Sequence, residues 1–269
     1  MKCPKCQAEN DWNAKFCTEC GEPLQGGGMN AQGAARLAGN TGILLGAKAR
    51  EARMKQAVDP NAILSDRVYN SVIVGVLLWG LLINYLMCRF ATGFAMSLNP
   101  IALLIGYLVL AIAGVIISAK SQNPAISFLG YNMVVIPFGL VISLLVEAYG
   151  GVDSAVVTQA FLYTALIAVG MMALVMIVPQ FFAKIGGALT AALIGMVLCE
   201  VILLIFGIHQ DWMDWVAAAL FSLYIGYDVY RSQQFPKTLD NAVDSALDIY
   251  MDMANLFIRI LSILGKKDN

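Results

Sequence analysis

Four cysteines near the start of the chain have the spacing of a metal site. The first 24 residues read MKCPKCQAENDWNAKFCTECGEPL and contain two CxxC pairs. Each CxxC turn presents two sulfurs to one ion, and four thiolates suit a tetrahedral Zn²⁺. Four sulfur ligands leave no open position, so such a metal is structural, and it supplies the folding energy of so short a segment. The pattern therefore predicts one structural zinc per chain at Cys3, Cys6, Cys17 and Cys20.

A redox dithiol pair or a set of disulfides is the alternative for the same four thiols. Stable disulfides are rare in the cytosol, which favours zinc. The string CPKC…AKFCTECGEPL also resembles the small zinc-ribbon modules at the N-terminus of many bacterial membrane proteins. This resemblance covers residues 1–24 and predicts the metal and a docking module, but it does not identify the protein partner.

Four acidic residues lie in or beside long apolar stretches. Asp228 lies in LYIGYDVYR, Asp252 in LDIYMDMANLF and Glu200 in MVLCEVILLIF, while Glu147 ends another apolar stretch. Ionisable groups within a membrane are costly and usually functional. The alternative for Asp228 is an i,i+3 ion pair with Arg231, and for Glu200 a protonated, hydrogen-bonded side chain between helices. Glu147 is interpreted as an interfacial charge.

The last apolar segment has a polar face. Asp248, Asp252, Asn255 and Arg259 follow one another at steps of four, three and four residues. At 100° per residue these positions fall within about 60° of one another on a helix. The stripe either lines a polar path inside a bundle or lies at the membrane interface, and Arg259 is positioned to offset part of the acidic charge.

The composition predicts a membrane protein built from helices. Of 269 residues, 59% are hydrophobic and 13% charged, with a mean hydropathy of +0.72. Soluble domains average roughly 45–50% apolar and about 25% charged residues. A bilayer core of ~30 Å takes about 20 helical residues to cross, and several uncharged blocks are that long. The predicted spans are 68–89, 99–119, 124–146, 154–178 and 185–207, with a sixth near 212–230 that carries Asp214 and Asp228.

The segment 242–264 fits poorly as an ordinary span because it holds three aspartates and Arg259. It is either a seventh helix sheltered by the other six or a re-entrant helix. Lys266 and Lys267, which follow it, prefer the cytoplasm, so the charge rule favours the re-entrant form.

Basic residues predict the orientation, because lysine and arginine accumulate in cytoplasmic loops. One side carries nine basic residues, and the opposite loops carry only Arg89. The nine are Lys48, Arg50, Arg53, Lys55, Arg67, Lys120, Lys184, Arg231 and Lys237. The opening MKCPKC lacks the apolar region of a signal peptide, so residues 1–67 are expected to stay in the cytosol. The expected location is the bacterial inner membrane, with a cytoplasmic N-terminus.

The sequence divides into a zinc ribbon at 1–24, a flexible basic linker at 25–66 and a transmembrane domain at 67–265. Seven glycines between positions 26 and 46 argue for flexibility in the first half of the linker. Residues 43–57 either form a basic helix on the anionic inner leaflet or remain a solvated charged linker.

The charge and histidine content exclude several classes of function. A net charge of −1 provides no basic field for nucleic acid. The chain has one histidine, His209, so it contains neither an HExxH zinc protease helix nor a multi-histidine metal cage. Cys88 and Cys199 lie in predicted spans and are interpreted as inert packing residues.

Two C-terminal strings resemble the end of the Bax inhibitor-1 family, also called TMBIM, and in particular its bacterial YccA-like branch. They are FSLYIGYDVYRSQQ and SALDIYMDMANLFIRILSILG. RVYNSVIVGVLLWGLLINY in the first span and NMVVIPFGLVIS in the third are also similar to the family. The resemblance covers about residues 66–265, and the two aspartate contexts are its most specific part.

The resemblance implies a seven-helix bundle with a central last helix, and a pH-sensitive leak of cations, chiefly Ca²⁺. The family's paired aspartates match Asp228 and Asp252 by motif, and Asp248, Asn255, Arg259 and Glu200 are accessory candidates. Some relatives also have a basic latch and an acid within the second helix. Here the second span has no charge before Lys120, which argues against that latch.

Two facing carboxylates cannot both ionise easily when buried, so they share one proton and bond two helices together. Without that proton they repel and attract a hard divalent cation. This predicts a proton-gated Ca²⁺ or cation leak.

A second hypothesis is a non-transporting stress or quality-control regulator, which modulates a membrane protease or another partner through its ribbon. An intramembrane aspartyl protease is a third, because Tyr227–Asp228 matches a YD pair, but YMDMAN lacks GxGD, so no enzyme is expected.

Overall fold

A computed structural model describes residues 50–56, 62–207 and 211–267. The chain divides into two compact units, Met1–Ala49 and Arg50–Asn269, and the description concerns the second. Its described residues contain helices and no strands. The helices are α1 Asp66–Leu86, a π-helical turn Met87–Ala91, α2 Thr92–Ser97, α3 Pro100–Lys120, α4 Pro124–Ala148, α5 Ala155–Ile177, α6 Pro179–Ile205, α7 Trp212–Ser232 and α8 Leu239–Lys267.

Local sequence explains where several helices begin and end. Asn99 and Asn123 each precede a proline, and their side chains accept hydrogen bonds from the first backbone amides of α3 and α4. Asparagine at the cap and proline at the first helical position both favour helix initiation. The turn after α4 contains Gly150 and Gly151 at φ of 93° and 80°, a conformation that glycine adopts without strain.

Among the residues that the structure describes, five helical segments are long and apolar enough to cross a membrane: α1 continued through α2, then α3, α4, α5 and α6. They correspond to the first five predicted spans, although α6 begins at Pro179 rather than near 185. In α3 and α6 most side chains face outward, as expected of lipid-contacting helices. The predicted total of six spans and a seventh helix stays a prediction, because α7 and α8 carry several charges.

The last helix lies at the centre of the bundle. It packs against α1, α4, α5 and α7, and its first half is almost entirely buried. Near its start Asp248 pairs with Arg231 at the end of α7, and near its end Arg259 pairs with Asp214 at the start of α7. This unbroken helix of 29 residues, about 43 Å long, therefore runs antiparallel to α7 from Asp248 to Lys266. The last segment is thus sheltered by its neighbours, while the choice between a spanning and a re-entrant helix stays a prediction.

Aromatic residues and a glycine bring α1, α4 and α8 close together. Tyr131 and Tyr250 are fully buried and pack edge to face with ring centroids 5.7 Å apart. The Tyr131 hydroxyl donates to the backbone oxygen of Val76 at 2.9 Å, and its ring end lies against Gly80, where a Cβ atom would collide. Close packing around Tyr250, between Asp248 and Asp252, thus supports the central position of α8.

Candidate functional site

Asp228 and Asp252 meet in the interior of the bundle. Asp228 lies one turn before the end of α7, and Asp252 lies near the middle of α8. Both are buried, and their carboxyl groups lie within hydrogen-bonding range of each other. Oδ2 of Asp252 is buried and accepts no hydrogen bond from any described donor. The two helices therefore contact each other through a pair of carboxyl groups, one of which has an unused oxygen.

Arg231 and Asp248 extend this pair towards the start of α8. Arg231 Nη2 lies 3.6 Å from Asp228 Oδ1 but donates to Asp248 Oδ2 at 2.6 Å. The expected i,i+3 pairing of Arg231 with Asp228 is thus present, but the distance between the two groups is long because the guanidinium binds Asp248 of α8 more closely. Asp248 is close enough to interact electrostatically with both members of the aspartate pair. Tyr224, one turn before Asp228, also lies close to both carboxyl groups.

The same cluster continues into residues that the sequence analysis did not assign to the site. Arg50 pairs with Asp248 and Asp244, and Arg53 pairs with Asp244 and Asp240. Five carboxyl groups of α7 and α8 thus face three guanidinium groups. Two sequence features could have indicated these contacts. The aspartates of α8 recur every four residues, and two arginines lie three residues apart before the first span.

The contacts of Arg50 and Arg53 correct the interpretation of the linker. Residues 50–54 are helical, as one alternative predicted, but their arginines face buried aspartates rather than lipid headgroups or solvent. The remainder of the predicted helix, 43–49 and 57, lies outside the described residues. The arginines opposite the acidic residues come from this segment and from α7, not from the second span.

Arg259 and Glu200 belong to a separate cluster at the opposite end of the bundle. Arg259 Nη2 lies 2.7 Å from Glu200 Oε1 of α6, and its Nη1 lies 2.9 Å from Asp214 Oδ1 of α7. Asp214 also accepts from Ser262 and Lys266. Arg259 therefore does not offset the charge of Asp248 and Asp252 as predicted, and Glu200 of α6 has Arg259 of α8 as its partner.

Asn255, the remaining accessory candidate, does not contribute a polar group to the aspartate pair. Its side-chain amide donates to the backbone oxygen of Met251 in the same helix at 2.8 Å. Glu147 is exposed at the end of α4, as expected of an interfacial charge.

The predicted zinc ligands Cys3, Cys6, Cys17 and Cys20 lie outside the described residues. In the described parts of the chain, no group of three or more histidine, cysteine or acidic side chains is arranged to hold a metal ion. Three of the α8 carboxylates, those of Asp240, Asp244 and Asp248, are instead bound by arginines. Cys88 and Cys199 are unpaired thiols, and Cys88 is packed against the hydrophobic core.

Two family models match the chain in separate regions. The model described as "Inhibitor of apoptosis-promoting Bax1" matches residues 61–269, which include every described helix from α1 to α8. A zinc-ribbon domain model matches residues 2–24, the segment with the two CxxC pairs. Both matches coincide with the regions that the sequence analysis assigned to these two families.

Individual relatives are similar over shorter stretches. An uncharacterized protein of Helicobacter pylori is 41% identical over 86 residues, 31% of this chain and 36% of that protein. One from Campylobacter jejuni is 32% identical over 127 residues, 46% and 53% of the two chains. The mouse protein lifeguard 4 is 30% identical over 115 residues, 42% and 48% of the two chains. The chain spans about a third to a half of the length of these curated relatives.

Proposed function

The chain belongs to the Bax inhibitor-1 family, and we propose that it forms a pH-sensitive cation leak through the membrane, with Ca²⁺ as a permeant ion. The observation that carries this proposal is the contact between the buried carboxyl groups of Asp228 and Asp252, one from each of two packed helices. Burying ionisable groups inside a membrane bundle costs free energy, and the groups that are found there usually have a function.

The proposed gate depends on one shared proton. While the proton is present, one carboxyl donates a hydrogen bond to the other and holds α7 against α8. When it leaves, two negative charges face each other, the contact weakens, and the oxygens become ligands for a hard cation. The buried Oδ2 of Asp252 has no hydrogen-bond donor in the described residues, so it is available to a proton or a cation.

Calcium flux into liposomes tests the proposal directly. Purified full-length protein is reconstituted with an internal Ca²⁺ indicator, and protein-free liposomes serve as the control. We expect Ca²⁺ influx above the control, with a rate that differs between about pH 6 and pH 8, where a shared carboxyl proton exchanges. Influx equal to that of protein-free liposomes at every pH contradicts the proposal.

The alternative is a membrane regulator without transport, for stress responses or quality control, that acts on a membrane protease or another protein. The match to a zinc-ribbon domain at residues 2–24 supports it, because a ribbon joined to a membrane domain is suited to docking. Absence of flux favours this alternative. We propose no catalytic activity for the aspartate pair under either hypothesis.

The division into a ribbon at 1–24, a linker at 25–66 and a membrane domain at 67–265 is part of the proposal. We expect one equivalent of zinc per chain, since two CxxC pairs supply four thiolates. Elemental analysis of protein purified under reducing conditions measures it. Replacing Cys3 and Cys6 by serine removes half of the ligands, so this variant should lose the metal. A zinc content near zero in the parent protein contradicts the assignment.

The helices that cross the membrane contact lipid, and relatives in two bacteria support an inner-membrane location. We propose that the N-terminus is cytoplasmic. Asp211 and Gln234 are exposed beyond the two ends of α7 and provide labelling positions. In intact cells, a membrane-impermeant maleimide should modify Asp211→Cys and not Gln234→Cys, as located by peptide mass. The reverse pattern contradicts this orientation.

A further inference from the structure

The segment 50–56, which precedes α1, is tightly bound to the start of α8. Arg50 and Met54 are buried, with 8% and 2% of their surface exposed. Arg50 donates to the carboxylate of Asp248 and, at 2.7 Å, to the backbone oxygen of Asp244. This segment lies outside the membrane-spanning helices, yet it contacts the same aspartate that interacts with the pair at Asp228 and Asp252.

The second arginine of the segment connects it to two helices, α3 and α8. Arg53 donates to Asp240 Oδ2 at 2.5 Å, to Asp244, and to the backbone oxygen of Ser121 at the end of α3. The amide of Asn241 donates to the backbone oxygen of Met54 at 3.0 Å. The segment therefore covers the start of α8 and the end of α3.

We propose that residues 50–56 are an autoinhibitory closure, which blocks this entrance to the aspartate pair and must leave α8 before cations pass. The proposal rests on the proposed cation leak. A cation that approaches the pair from this end meets two guanidinium groups bound to the aspartates of α8, so it is repelled and finds its oxygen ligands occupied. When the segment leaves, the cation instead meets three exposed carboxylates, those of Asp240, Asp244 and Asp248.

Two features suit a contact that is released. The Nε atoms of both Arg50 and Arg53 are buried without an acceptor in the described residues, so the closure holds unsatisfied donors that water satisfies once the segment leaves. The segment also continues N-terminally into residues 1–49, which include the zinc-ribbon match. A protein that binds the ribbon therefore has a direct covalent connection to the closure.

The test compares Ca²⁺ flux of full-length variants in liposomes. The double variant Arg50→Ala/Arg53→Ala should conduct several-fold faster than the parent protein at the same pH. Lys55→Ala is the matched control, because Lys55 lies in the same segment but is exposed and pairs only with Glu51 among the described residues. It should conduct at the parent rate. Equal rates in the double variant and the parent contradict the closure.

A second variant keeps both arginines and so avoids unpaired buried aspartates. The side-chain amides of Gln56 and Gln122 are hydrogen-bonded at 2.9 Å, so thiols at these two positions can be bridged by a short bifunctional reagent. Cross-linking of Gln56→Cys/Gln122→Cys with a short bis-methanethiosulfonate, with the linked peptides located by mass, should reduce flux below the parent rate, and a reductant should restore it. Parent-like flux in the fully cross-linked protein contradicts a segment that must leave.

Thiol labelling follows the segment independently of transport. The variant Met54→Cys should react slowly with a water-soluble maleimide, and several-fold faster when combined with Arg50→Ala/Arg53→Ala. Equal labelling rates contradict the contact itself. Absence of flux in every protein contradicts the proposed leak, while labelling still reports whether the arginines hold the segment on α8.

Discussion

Asparagine at position 228 or 252 is expected to flatten the pH response of Ca²⁺ flux. The parent rate should change several-fold between about pH 6 and pH 8, whereas Asp228→Asn and Asp252→Asn should each change less than about twofold. Asparagine keeps the size and hydrogen-bonding capacity of the side chain but removes the titrating carboxyl group. The measurement is the initial rate of Ca²⁺ influx into liposomes across this pH range.

The double variant tests whether one shared proton is responsible. If both carboxyl groups act through it, the effects of the single changes do not add, and the double replacement resembles either single one. Glu147→Gln is the matched control, because it removes an exposed carboxyl group at the far end of α4. An unchanged pH response in both single variants contradicts the gate and leaves the non-transporting regulator as the better hypothesis.

Asp248→Asn provides a further comparison whose interpretation the structure changes. By sequence, Asp248 shares the polar stripe but lies outside the pair. In the structure it is the shared partner of Arg50 and Arg231. Its replacement frees both guanidinium groups to approach Asp228 and Asp252, so the pH response should shift rather than flatten.

The fold was predictable because membrane helices are specified locally. Uninterrupted apolar blocks gave the five spans that the structure contains, and the polar face of the last segment predicted a helix that needs shelter. Asp228 and Asp252 were identifiable because each interrupts an apolar sequence, and the family's motifs supported both. Their mutual proximity was expected from the family and is a property of this structure as well.

Partners distant in sequence were not predictable. Arg259 shares a helical face with Asp248, but eleven residues separate them, which is about 16 Å along the helix axis. Angular position alone therefore assigned Arg259 to the wrong acidic residues. Arg50 was interpreted as membrane-binding or solvated because sequence periodicity contains no information on which helix a preceding segment folds against.

Arginines fix α8 at both ends. Near its start Arg50, Arg53 and Arg231 bind its aspartates, and near its end Arg259 of α8 binds acids of α6 and α7. The aspartate pair lies between these clusters, and Arg231, its nearest described guanidinium, is 3.6 Å from Asp228 and donates to Asp248 instead. Charge pairing thus stabilises α8 near both ends, and the proposed gate lies between the two clusters.

Replacing Arg259 by glutamine is expected to destabilise the protein by about 3 kcal/mol, because breaking a largely buried ion pair leaves an uncompensated charge. Asp214 keeps Ser262 and Lys266 as partners, so the main loss falls on Glu200 of α6. The free energy of unfolding in mixed micelles measures the effect. Arg89→Gln is the control, since its pair with Asp153 is exposed and is worth about 1 kcal/mol or less.

Addition of Glu200→Gln to Arg259→Gln separates loss of attraction from the cost of an unpaired charge. A neutral glutamine at position 200 no longer needs a cation, so the double variant should recover most of the stability that Arg259→Gln loses. Glu200→Gln alone should cost less than Arg259→Gln, because Arg259 retains Asp214 at 2.9 Å. If the double variant is as unstable as the sum of the two single changes, the residues act independently and this ion pair does not join α6 to α8.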